Sequence, residues 1–157
     1  MNIIKKNTNI IILFGIFVVT IATALTNTES TCPVPSTPGN LSCTVTKIID
    51  GDTVHAQCGG IDTKIRLTVI DSYESKKNTR AFKQAYEQKI TVEEVVIRGK
   101  QATEYTKQEL ADKQILVVPP AKSQIDRYGR TLGTIYFNCV DINQKLLTEH
   151  PDVFLRY

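Results

Sequence analysis

From residue 43 the chain alternates. Val45, Lys47 and Ile49 fall on one side, and Thr44, Thr46 and Ile48 on the other, with β-branched residues at nearly every position. Period-two spacing of that composition predicts a strand. Asp50-Gly51 supplies a hairpin turn, residues 53–57 continue as a second strand, Gly59-Gly60 turns again, and residues 64–70 form a third. Residues 72–89 are polar and mostly charged, and Ala81, Phe82, Ala85 and Tyr86 give them the spacing of a short helix. Thr91 and Glu94 stand as N-cap and N3 of a capping box. Val92, Val95, Val96, Gly99, Ala102, Thr106 and Leu110 follow along one face. They predict a helix over residues 92–112 whose small-residue middle lets another backbone come close. Residues 115–118 make a fourth strand, stopped by Pro119-Pro120. Residues 126–130 are a polar loop and 131–137 a fifth strand; Ile142, Leu146 and Leu147 mark a last helix ending before Pro151.

Five short strands with helices set among them point to an α+β chain, mainly β. The expected architecture is a five-stranded barrel of the OB type with two to three helices. Its 157 residues suffice for one domain, and 41% apolar with 22% charged residues is a globular balance. The 19 Lys plus Arg against 16 Asp plus Glu give only +3, too mild to single out a nucleic-acid binder. Collagen, a disordered basic tail, a multi-span membrane protein and a repeat array are excluded.

The chain before residue 43 differs in character. Lys5 and Lys6 precede an uncharged run over residues 10–25, and Ala22-Thr23-Ala24 matches a signal-peptidase site. Residues 1–24 therefore read as an export signal. The run is just short of the ~20 residues that span a bilayer, so an uncleaved anchor over residues 10–25 stands as the second reading. Either way the protein is expected to be exported: periplasmic, secreted or at the cell surface. Residues 25–42, rich in Ser, Thr, Pro, Asn and Gly, read as a tether, and 43–157 as the folded domain. Cys32, Cys43, Cys58 and Cys139 make an even count without a CxxC pair, which favours disulfides over zinc. Cys43 and Cys58 lie almost symmetrically about Gly51 and should face each other across the hairpin, giving Cys43–Cys58 and, by default, Cys32–Cys139. Four free buried thiols are the alternative.

The charged residues carry the chemistry. Asp50 and Asp52 flank the first turn, Arg66 sits in an apolar strand, Asp71 and Glu74 follow that strand, and Arg130 closes the polar loop. Each has a plain structural reading. Arg66 could pair with a local carboxylate, because an unpaired buried guanidinium is costly. Asp50 and Asp52 could be turn residues, and Asp71 and Glu74 could cap the next helix. Taken together, the carboxylates form an oxygen-rich site for a hard divalent cation such as Ca²⁺. Two guanidiniums beside it can fork onto a phosphate and stabilise its extra charge during attack. A further carboxylate can orient or deprotonate a water.

Ile49-Asp50-Gly51-Asp52-Thr53-Val54, Ile65-Arg66-Leu67, Ile70-Asp71-Ser72-Tyr73-Glu74, Gly99-Lys100-Gln101-Ala102, Asp126-Arg127-Tyr128-Gly129-Arg130 and Ile142-Asn143 occur in that order. Over residues 43–150 this resembles the thermonuclease family, the staphylococcal-nuclease-like secreted nucleases. The resemblance implies an OB barrel and Ca²⁺-dependent endonucleolytic cleavage of DNA and RNA, single-stranded or duplex, leaving 3′-phosphate ends. It implies no protein partner and a monomer. By motif, Asp52, Asp71 and the main-chain carbonyl of Ser72 correspond to Ca²⁺ ligands, with Asp50 in support. Arg66 and Arg130 correspond to the groups that grip the scissile phosphate, and Glu74 to the group that orients the water or acts as base. Arg127 and Tyr128 match positions that contact nucleotide phosphates. A non-catalytic nucleic-acid-binding OB module is the alternative, and retention of Arg66, Glu74 and Arg130 together favours the enzyme.

The departures set further expectations. Where the family often has Pro, this chain has Tyr73, which should loosen the backbone between the two carboxylates. Lys76, Lys77, Arg80 and Lys83 fall in a longer segment after Glu74 and either meet nucleic acid or form a solvated helix face. His150-Pro151 and the end at Tyr157, without a long terminal helix, put stability and the stacking wall of the pocket in doubt. His55 and His150 are expected to be exposed, and among the tyrosines, Tyr105, Tyr128, Tyr136 and Tyr157, only Tyr128 is a candidate to stack on a base.

Overall fold

The computed structural model describes residue 34 and residues 38–157. The expected leader and most of the expected tether, with Cys32, lie outside the described residues. β1 (Leu41–Asp50), β2 (Thr53–Cys58) and β3 (Ile61–Leu67) form the meander. Asp50 pairs with Thr53 beside the Gly51 turn, and Cys43 with Cys58 at the open end. There the two cysteines are joined by a disulfide, as their register requires. Cys139 is disulfide-bonded as well.

After β3 the chain turns sharply at Val69, whose φ of 59° is left-handed, an uncommon conformation for a β-branched residue. The third strand therefore ends at Leu67 instead of running on to residue 70. Ile70–Ser72 becomes a separate strand, β4, outside the barrel sheet. The bend is held from outside: Asn143, fully buried, donates through Nδ2 to the Thr68 carbonyl at 2.9 Å and to that of Gly133 at 3.2 Å. Its Oδ1 accepts from the Ile135 N–H.

Two helices follow. α1 (Thr79–Gln88) is capped by Asn78, whose side chain accepts from Ala81 N. α2 (Val92–Leu110) is capped by Thr91, whose hydroxyl accepts from Glu94 N. Only that half of the expected capping box is formed, since the Glu94 carboxylate pairs with Arg98. β5 (Gln114–Val118) lies antiparallel to β1, and β6 (Thr131–Phe137) antiparallel to β5. β6 also runs parallel to β3, closing five strands into a mixed barrel. β7 (Val140–Asp141), α3 (Ile142–Glu149) and β8 (Phe154–Arg156) complete the chain.

Val45, Val54, Ala56, Ile65, Leu67, Val117 and Ile135 form the barrel core, joined by Ala102 and Leu110 of α2 and by Ile142 and Leu146 of α3. A second cluster unites Tyr73, Ala81 and Val95. The C-terminal segment is no loose end. β8 pairs with β4, Ser72 opposite Phe154, and Phe154 is only 1% exposed. A short strand thus seals this end of the core, where stability had been in doubt. Phe154→Ala should lower unfolding free energy by about 3–5 kcal/mol in urea titration, with Phe154→Leu retaining most of it.

Candidate active site

Arg66 is the centre of the site. Its strand buries it, to 8% exposure, so each polar atom needs a partner. Nε lies 3.2 Å from Asp52 Oδ1 and Nη2 donates to Asp71 Oδ1 at 2.9 Å. Nη1 donates to the carbonyls of Leu67 and Ile70. The structural reading of Arg66 as a local ion pair is therefore realised, and with two carboxylates. Asp52 Oδ2 accepts from Ser72 N at 2.8 Å and Ser72 Oγ at 3.1 Å, and its Oδ1 from the Thr53 hydroxyl. Asp50 closes the turn by accepting from Asp52 N.

Helix α2 braces both acidic segments from below. A Cβ on Gly99 would come within 2.4 Å of the Glu74 carbonyl carbon, so only glycine lets the Glu74 backbone lie there. A Cβ on Gly51 would meet the Ala102 methyl and the Ser72 side chain at 2.7 Å. Thr106 Oγ1 donates to the Gly51 carbonyl at 2.6 Å. The expected close approach on the small-residue face is thus made by the turn and the Glu74 loop. From the other side, Gln84 of α1 spans that loop: Nε2 donates to the Ser72 carbonyl at 3.0 Å, and Oε1 accepts from Glu74 N at 2.9 Å. Tyr73 is 3% exposed, with the Arg98 guanidinium over its ring. The lost proline does not leave this backbone loose, because burial of Tyr73 and the Gln84 clamp replace its stiffness.

Arg130 arrives from the polar loop. Asp126 ties that loop together, its Oδ1 accepting from the N–H groups of Tyr128 and Arg130 and its Oδ2 from Arg130 Nε at 2.7 Å. Arg130 Nη1 reaches the Thr53 hydroxyl at 3.4 Å. Asp50, Asp52, Arg66, Ser72, Glu74 and Arg130 line one pocket of about 280 Å³. Tyr128, 68% exposed, stands beside it with the guanidiniums of Arg127 and Arg130 over its ring.

Comparison with known proteins gives the family. A family model described as staphylococcal nuclease homologue matches residues 64–150, more than half of the chain. This chain belongs to the staphylococcal nuclease family. The thermonuclease of Staphylococcus hyicus is 31% identical over 106 residues, covering 67% of this chain and 54% of the relative. That of Staphylococcus intermedius matches to the same extent. An uncharacterized protein of Methanocaldococcus jannaschii is 29% identical over 114 residues, 66% of this chain and 54% of its own. The chain spans about half the length of these curated relatives.

In this member of the staphylococcal nuclease family, several side chains differ from their expected surroundings. Arg80 turns inward, with Nη2 at 2.5 and 2.6 Å from the two Asp71 oxygens and Nε at 3.3 Å from Glu74 Oε1. Lys77 and Lys83 are occupied by Glu93 and Glu87, while Lys76 lines the pocket. The helix after Glu74 is capped by Asn78 and not by Asp71 or Glu74, and Asn78 Nδ2 donates to Glu74 Oε2 at 2.8 Å. His150 is half-buried, stacked on Tyr105 at 3.6 Å, which removes Tyr105 from any stacking role. His55 is also half-buried and lies against Asp62. Motif reasoning does not point to Gln84 or Asn78 as site residues, and it places Arg80 toward nucleic acid or solvent where the structure has it on Asp71 and Glu74. Asn78-Thr79-Arg80 is a legible helix start, and it alone could have placed Arg80 in a first turn beside Glu74.

The electrostatics leave an unmet demand. Burial above all, and then Asp50, push the Asp52 carboxyl above its ordinary value. The Arg66 guanidinium, the Ser72 N–H and the Thr53 hydroxyl pull the other way without overcoming this. Among the described residues, no three His, Cys, Asp or Glu side chains are gathered closely enough to hold an ion as they stand. The donor chemistry nonetheless suits a hard cation, being all oxygen.

Gly99→Ala is expected to cost about 1–3 kcal/mol through its clash with the Glu74 backbone, against a gain of at most ~1 from helix propensity. Lys100→Ala, on the exposed face, should cost little in the same urea titration. Asp126 is opposed by burial but held below its ordinary value by the N–H and guanidinium of Arg130 and by the Tyr128 N–H. Its contribution is therefore present above the free-carboxylate value of about 3.9 and is lost as pH falls through the lower folded value. Asp126→Asn should destabilise by about 1–2 kcal/mol at neutral pH, a difference that shrinks as pH falls below the free-carboxylate value.

Proposed function

We propose that this protein is an exported, Ca²⁺-dependent endonuclease that hydrolyses the phosphodiester bonds of DNA and RNA and leaves 3′-phosphate ends. The observation that carries the reading is the convergence of Arg66, Arg80 and Arg130 with Asp50, Asp52, Glu74 and Ser72 on one pocket, with Asp71 bonded to two of those arginines. Family membership supports the nuclease chemistry. The leader-like N-terminus and the Cys43–Cys58 bridge support export.

In this reading Asp52, Asp71 and the Ser72 carbonyl hold Ca²⁺, with Asp50 in support. The cation, when bound, would offset the charge of the phosphate and make a bound water more acidic. Arg66 has one uncommitted N–H left on Nη2, and it directs that donor at a phosphate oxygen. Arg130, fixed through Nε by Asp126, offers its Nη groups to the same phosphate. Both donors are set before the substrate arrives, so they favour the five-coordinate phosphorus without rearranging. Glu74 orients the attacking water and takes its proton. The oxygen of water bonds to phosphorus, the P–O5′ bond breaks, and phosphate stays on the 3′ side. Arg127 and Tyr128 receive the neighbouring nucleotide at the rim. The protein acts as a monomer.

The test uses the chain from residue 25 onward, folded oxidatively, on single- and double-stranded DNA with Ca²⁺ or a chelator. Cleavage should require Ca²⁺ and give 3′-phosphate ends by mass spectrometry. Arg130→Ala should lower turnover about 10²–10³-fold with little change in melting temperature, and Glu74→Gln should do similarly while retaining Ca²⁺ binding. Arg66→Ala should lose both activity and stability, since it strips the buried Asp52 carboxylate of its guanidinium and leaves Asp71 only the exposed Arg80. Binding without cleavage in both the wild type and Glu74→Gln would instead identify a non-catalytic binding module.

A further inference from the structure

Asp71 is held by two guanidiniums of different kinds. Arg66 is buried and has three other acceptors on Asp52, Leu67 and Ile70. Arg80 is half-exposed, at 52% of its side chain, and its bonds are to Asp71 and Glu74 alone among the described contacts. The backbone that carries it is firm. Asn78 caps the helix one residue before its start and also binds Glu74, and Ala81, the next residue, is fully buried against Tyr73 and Val95. A fixed Cα with a half-solvated head describes an arm that can swing without disturbing the fold. The head lies on both oxygens of Asp71, sharing Oδ1 with Arg66 and holding Oδ2, and a cation held by Asp52, Asp71 and Ser72 would need one of those oxygens. A guanidinium and a divalent cation cannot share that edge at low mutual cost. Arg80 also lines the same pocket as Arg66 and Arg130.

We propose that Arg80 is a third functional arginine that exchanges partners: it neutralises Asp71 and Glu74 in the cation-free site, yields them to the divalent cation, and then binds substrate phosphate. The inference rests on the Ca²⁺-dependent reading above. Its consequence is coupling. Each cation must displace Arg80, and a phosphodiester gives the displaced guanidinium a new anion. Cation and nucleic acid therefore assist each other's binding through this side chain, and by linkage the assistance is mutual.

The experiment is calorimetric titration of Ca²⁺ into the substrate-free protein, for the wild type, Arg80→Ala and Arg80→Lys, with steady-state cleavage alongside. Arg80→Ala should bind Ca²⁺ about tenfold more tightly than wild type, the scale of losing one charge-assisted competitor at a half-exposed site. At saturating Ca²⁺ its KM for DNA should rise several-fold. Arg80→Lys should fall between the two in both readouts, because a single ammonium cannot fork onto Asp71. Arg80→Gln and melting curves in chelator guard against loss of fold. Unchanged or weaker Ca²⁺ binding in Arg80→Ala overturns the exchange, as does tighter binding with an unaltered KM. A wild-type protein that binds no Ca²⁺ at all overturns the underlying reading instead, and is distinguished because no variant then shows a titration.

Discussion

The Arg66 guanidinium is where the separate parts of the acidic site are joined. It grows from β3, bonds to Asp52 beside the hairpin turn, and takes the Ile70 carbonyl and the Asp71 carboxylate from β4. The buried Asp52 and the half-buried Asp71 would repel without it. The pair is costly to desolvate, and removing one member of such a buried set typically costs about 3–5 kcal/mol. The positions of the turn, of β4 and hence of the Glu74 loop all follow from satisfying this one cation. Its five donors are almost fully used in doing so, which is why the site needs a second, differently tethered arginine at 130.

Around that centre the fold applies steric constraint. Helix α2 offers Gly99 and Ala102 where larger side chains would push the acidic segments away. Gln84 reads two backbone groups of the same loop at once, and Tyr73 is packed beneath it. A proline restricts one φ angle; here side-chain packing and two hydrogen bonds restrict three successive residues.

Much of this was legible in the sequence because it is written in short-range patterns. β6 and α3 have clear periodicity and fall where expected, and the Cys43–Cys58 bridge followed from symmetry about a turn. The carboxylates and arginines stood out because charge is rare at a strand's core or at its mouth. What was missed depends on distant or unusual partners. β4 and β8 have three residues each, too few for a period, and they exist because they find each other. The bend at Val69 needs a conformation that its side chain disfavours, and Asn143 imposes it from another element. Arg80 and Gln84 look like residues of a solvated helix face until the carboxylates and carbonyls they meet are placed.

The pairing of β4 with β8 also has a temporal meaning. Asp71 and Ser72 are early in the chain, and the strand that aligns them is made among its latest residues. Until residues 154–156 have been made, the acidic strand lacks the partner that sets its register. All five barrel strands precede that partner in the chain, so the segment carrying Asp71 is the last part of the site that can be fixed.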